Sequence, residues 1–136
     1  MSAAETLQQA MDRALAHPEG AHIAASYDRT FQFELEEGDR FYLELFGGKA
    51  AVKPGDCGLD WKRADWERVT CIRTSRQTLE DILTGRRLVT EAYFDREFGF
   101  APHRAATRHV AASAVMGWLY TLIRLAGEQA KRGGAA

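Results

Sequence analysis

The sequence predicts a single-domain α+β fold, and three observations carry that expectation. Between Thr30 and Lys53 apolar side chains alternate with polar ones at a period of two, the pattern of strands with one dry face. Residues 5–17, 75–85 and 102–128 instead space their apolar residues three and four apart, as helices do. Glycine, proline and aspartate fall at the joints between the two kinds of segment. A chain of 136 residues is long enough for one core, with about two-thirds of its unfolded surface buried on folding. The expected domain spans 1–136, with a core over about 5–128 and a flexible tail at 129–136.

In chain order, residues 5–17 form a helix with Leu7, Met11, Ala14 and Leu15 on its apolar side. His17-Pro18-Glu19-Gly20 is expected to stop it, because the residue before proline leaves the α region and glycine follows. Phe31, Phe33 and Leu35 alternate with Gln32, Glu34 and Glu36 as a first strand. Glu37-Gly38-Asp39 turns the chain into a second, where Phe41, Leu43 and Leu45 alternate with Tyr42 and Glu44. Gly47-Gly48 turns it again into a short third strand over 49–53, ended by Pro54-Gly55; together these make a meander. Residues 56–67 are turn-rich but carry Trp61 and Trp66, so this loop is expected to pack. Residues 68–74 form a fourth strand. Ser75 is placed to cap a helix that carries Thr78, Leu79, Ile82 and Leu83 and ends at Gly85. Residues 88–94 form a short helix and 96–101 a fifth strand, with Phe98 and Phe100 on one face. Pro102 suits the first turn of a last helix running to about Glu128.

That last helix is the most apolar element, with Val110, Val115, Met116, Trp118, Leu119, Leu122 and Ile123 among its residues. On a small domain it must be covered by the sheet, by a second subunit in a homodimer, or by a bound lipid. Met116 is the adaptable side chain of this helix. Gly117, in mid-helix, calls for a packing reason.

Composition narrows the functional classes. The formal net charge is −1 and the sequence pI about 6.4, so no nucleic-acid partner is expected. The balance is uneven, from −5 over residues 1–50 to +4 over 101–136, which leaves the C-terminal end, with Lys131 and Arg132, as the face for transient contact with an anionic membrane surface. Cys57 and Cys71 are read as free thiols rather than a framework. Met1-Ser2-Ala3-Ala4-Glu5 shows no signal-peptide pattern, and the charge-free run from Val110 to Ile123 is too short to span a bilayer, so a cytoplasmic location is expected.

Motifs for chemistry are sparse. No glycine-rich phosphate loop occurs, and no cofactor is expected. His103 and His109 sit six apart on different sides of a helix, so no metal site is expected. Asp95 and Glu97, with Tyr93 and His103 nearby, are the acid–base candidates, and Cys57 in Gly55-Asp56-Cys57-Gly58 is a candidate nucleophile. The fourteen aromatic residues concentrate on the alternating faces and the last helix, suited either to a filled core or to an apolar pocket.

With these elements in order, the chain resembles the sterol carrier protein 2 sterol-binding domain family over roughly residues 5–127. The resemblance lies in Phe31-Gln32-Phe33-Glu34-Leu35 with Phe41-Tyr42-Leu43-Glu44-Leu45 and Gly48-Lys49-Ala50. It continues through Thr74-Ser75, Leu79-Glu80-Asp81-Ile82-Leu83-Thr84-Gly85 and Glu91-Ala92-Tyr93. It implies a five-stranded mixed sheet covered on one face by helices, with a tunnel between the sheet and the long apolar C-terminal helix for a sterol, a fatty acyl chain or a similar lipid. Phe41, Leu43, Ile72, Leu79, Ile82, Tyr93, Phe98, Phe100, Met116, Leu119 and Ile123 are the expected ligand-binding residues. The expected function is a non-enzymatic carrier of an apolar small molecule. The alternative is a small cyclase or isomerase that uses the same pocket on a polyketide-like or steroid-like substrate, with Tyr93, Tyr120 and His103 as its polar groups.

Overall fold

The computed structural model describes residues 1–26, 28–60, 68–101 and 110–135, the side chains of 101, 110–118, 134 and 135 excepted. The elements are α1 (Ala3–Ala16), α2 (Pro18–Ser26), β1 (Arg29–Leu35), β2 (Arg40–Phe46), β3 (Lys49–Pro54), β4 (Val69–Thr74), α3 (Arg76–Leu83), α4 (Val89–Phe94), β5 (Phe98–Ala101) and α5 (Val110–Ala135). The five strands form one sheet in the order β3-β2-β1-β4-β5. β1 runs parallel to β4 and every other pairing is antiparallel, so the sheet is mixed, as expected.

Register explains the dry face. Phe31 lies opposite Leu43, Phe33 between Phe41 and Ile72, Leu43 beside Val52, and Ile72 beside Phe100. With strand side chains alternating, these residues share one side, and the helices pack there: Leu7 and Met11 of α1 and Leu119, Leu122 and Ile123 of α5 join them in a single core. Phe33 stacks on Phe41 with ring centroids 5.3 Å apart.

Three local outcomes differ from the sequence reading. Pro18 does not end the helical region but opens α2. His17 leaves the helix in extended conformation as the C-cap of α1, and proline then occupies the first helical position, where its missing N–H costs nothing. Gly20 is demanded by the sharp corner, since a Cβ there would lie 1.9 Å from the Ala14 carbonyl oxygen. β5 starts at Phe98 rather than at residue 96, because 95–97 close the end of α4. Finally, α5 runs past Glu128 to Ala135, carried by Gln129, Ala130, Lys131 and Arg132, all strong helix formers. Its expected start at Pro102, and Trp61 and Trp66 of the expected packed loop, lie outside the described residues.

The opposite face of the sheet is only partly wet. Gln32, which the alternation turns away from the helices, is fully buried. Its amide donates to the carbonyls of Phe41 (3.2 Å) and Gly55 (3.1 Å), and its carbonyl accepts from the Cys57 N–H (2.8 Å). These bonds hold the chain after β3 down across the strands.

Candidate functional site

The site begins with the way α3 ends. Ser75 caps its start, accepting from the Thr78 N–H at 3.1 Å, and Leu79, Ile82 and Leu83 bury the apolar side. At its end Gly85 has φ +80°, with the Arg86 N–H bonded to the Asp81 carbonyl and the Gly85 N–H to that of Ile82. This is a Schellman close, and a left-handed residue is what it needs. The turn brings Gly85 against Gly127 of α5: a Cβ on Gly85 would come within 2.8 Å of the Gly127 carbonyl oxygen, and one on Gly127 within 2.9 Å of the Gly85 Cα. From α1, Arg13 donates to the carbonyls of both Leu83 (3.3 Å) and Ala126 (3.4 Å), pinning the two elements at this contact.

Beyond the contact the chain diverges toward α4 and leaves a groove of about 410 Å³ between the 82–90 segment and α5. Ile82, Val89 and Ile123 give it a buried apolar floor, half-exposed Tyr120 closes one end, and Lys131 stands at the other. Tyr120 and Lys131 stand eleven positions apart on the helix, about 16 Å along the axis. A groove of this size, apolar below and polar at its edge, has the proportions of a small-molecule site.

The rim is charged but largely self-paired. Arg87 binds both Glu97 and Asp95, and these hydrogen bonds raise its pKa further, the Glu97 bond most. Arg124 pairs with Glu128 at 3.2 Å and Glu19 at 3.8 Å. Lys131 and Arg132 are exposed and form no ion pair among the described residues. Burial, and then the neighbouring Tyr93 phenol, push the Tyr120 hydroxyl up to about 12, so it stays protonated and presents an O–H.

The expected ligand-binding residues fall in different places. Phe41, Leu43, Ile72, Leu79, Phe98 and Leu119 lie in the core beneath the helices. Ile82 and Ile123 belong to the core and also line the groove. Tyr93 and Phe100 are half-buried at the β5 edge, their rings stacked at 5.8 Å. Met116 falls on the backbone of α5, but its side chain, like His103, lies outside the described residues. Asp95 and Glu97 are exposed and held by Arg87, and the Cys57 N–H is engaged by Gln32. Leu88, Val89, Thr90, Thr121 and Arg124 line the groove although nothing singled them out as binding residues in the sequence. The readable signal was the pair Gly85 and Gly127, two places where a backbone comes close.

No protein-family model matches the chain, and no curated protein matches it either. Solved structures do. A conserved hypothetical protein from Thermus thermophilus, given as a possible sterol carrier protein, superposes with a TM-score of 0.55 at 19% identity, over 93% of this chain and 87% of that one. A crystal structure of sterol carrier protein 2 superposes with a TM-score of 0.57 at 14% identity, over 91% of this chain and 95% of that one. The chain therefore has the sterol carrier protein 2 fold.

Proposed function

We propose that this chain binds and carries a lipid, a sterol, fatty acyl chain or similar apolar molecule, in the groove between α5 and the 82–90 segment. The observation that carries the reading is the groove itself, with Ile82, Val89 and Ile123 as a dry floor and cations along an open rim. Each methylene taken from water onto such a floor contributes about 0.8 kcal/mol, so ten or so supply about 8 kcal/mol before the ordering costs of binding are subtracted. The fold supports the reading: the solved structures that superpose on this chain are described as sterol carriers, known or possible. Ile82 and Ile123 connect the groove to the core beneath α5, so a ligand that displaced α5 slightly would reach the tunnel residues expected from the sequence. Release at an anionic membrane surface is aided by Lys131 and Arg132, each such charge near the surface contributing about 1 kcal/mol.

No helix among the described residues is long and apolar enough to cross a membrane. Native mass spectrometry of purified protein, before and after organic extraction, tests the reading. A lipid adduct removed by extraction and restored by added fatty acid or sterol is expected. A protein that is empty as isolated and takes up neither class overturns it.

A further inference from the structure

The groove has an apolar floor but one unsatisfied polar end. Tyr120 lines it, its ring meets Phe98 edge-on at 6.1 Å, and its hydroxyl has no hydrogen-bond partner among the described residues. Tyr93 stands beside it, close enough to disfavour Tyr120 ionisation, and its hydroxyl also has no partner among them. A half-buried phenol with no protein partner is free to donate its O–H to an acceptor that arrives with a ligand. The charges nearby decide which acceptor fits. Arg87 and Arg124, which both line the groove, are already engaged, Arg87 by Glu97 and Asp95 and Arg124 by Glu128 and Glu19, so an incoming carboxylate would find each of them held by acidic side chains. The cation without an ion pair, Lys131, is at the other end of the groove.

We propose that Tyr120 is the specificity-determining anchor of the groove and donates its O–H to a neutral oxygen of the ligand, a carbonyl or equivalent acceptor. A ligand that also carries an anionic group presents that group about 16 Å away, at Lys131. The inference rests on the lipid-carrier reading and narrows it, from any apolar molecule to one bearing an uncharged oxygen at its inner end.

The test is competition against the fluorescent hydrocarbon-like probe phenylnaphthylamine, using a long-chain methyl ketone and the alkane of equal length. One neutral hydrogen bond gives the ketone an advantage of about fivefold in the wild type. Tyr120→Phe keeps the ring and removes the donor, so the ketone-to-alkane ratio should fall to about one or below, the ketone oxygen then giving up water with nothing to replace it. Thermal unfolding of the ligand-free variant should show no loss of stability, because the hydroxyl it removes has nothing to bind. An unchanged ratio in Tyr120→Phe overturns the inference while leaving the carrier reading intact. Failure of the wild type to take up probe, ketone and alkane removes both. A loss of stability in the empty variant also overturns it, since the hydroxyl would then have a structural partner.

Discussion

Arg96 sits at the end of α4 with φ +61°, the single non-glycine residue in the left-handed region among those described. Its N–H bonds the Tyr93 carbonyl and the Glu97 N–H bonds that of Ala92, the same Schellman geometry that Gly85 supplies after α3. Arginine is strained there, so Arg96→Gly should raise stability by about 0.5–1 kcal/mol, read from denaturant midpoints at unchanged slope. Cys71 shows the opposite balance of burial and ionisation. Burial, and then the Glu34 carboxylate, push its thiol from an ordinary 9.0 up to about 12. Between those values the unfolded chain has lost the proton that the folded chain retains, so stability falls as pH rises through this window. Wild type should lose stability from pH 9 toward pH 12 more steeply than Cys71→Ala; parallel alkaline profiles would remove the assignment. Gln32 marks the limit of reading residues by pattern. Alternation correctly turned it away from the helices but could not show that Gly55–Cys57 would cover it, because that cover is a contact between segments far apart in sequence. Gln32→Leu should cost about 1–3 kcal/mol in denaturant unfolding, since it orphans the groups its amide satisfies.

At the scale of elements, most of what local chemistry controls was legible. The strands followed from period-two alternation, and both ends of α3 followed from Ser75 and Gly85, whose side chain and backbone form the caps themselves. α2 was not legible, because Pro18 and Gly20 are ambiguous letters: the same pair that stops a helix also fits one that restarts at proline and packs glycine into a corner. The position of α5 depends on one such close approach, Gly85 against Gly127. Gly127→Val places a branched side chain where even a Cβ meets backbone at 2.9 Å. It should destabilise by about 1–3 kcal/mol through overpacking, and it should loosen ligand retention because α5 forms one wall of the groove. Gly133→Ala, toward the free end of the same helix with nothing near its Cβ, is the matched control and should be neutral or slightly stabilising, measured by thermal unfolding.

For the whole molecule, the sheet, its mixed order and its one-sided cover of helices are what the resemblance and the alternation implied together. The groove is a different kind of feature. It arises where the 82–90 segment and α5 diverge after touching, and nothing in either stretch alone encodes the gap between them. Ile82 and Ile123 were within reach because they are apolar residues on the correct helix faces. Thr90, Thr121 and Arg124 were not, because residues of those types on a helix surface usually face water. Thr90 offers a direct test: it is exposed, it lines the groove, and it stands on α4 away from the core. Thr90→Trp should occupy the groove while leaving the fold in place. The measurement is titration of delipidated wild type and Thr90→Trp with a fluorescent fatty acid and a fluorescent sterol, alongside thermal unfolding of both proteins. Saturable uptake of at least one lipid by the wild type, weakened about tenfold or more in a variant of equal thermal stability, is the result this account predicts. Uptake that Thr90→Trp leaves unchanged, or wild-type protein that takes up neither lipid, would contradict it.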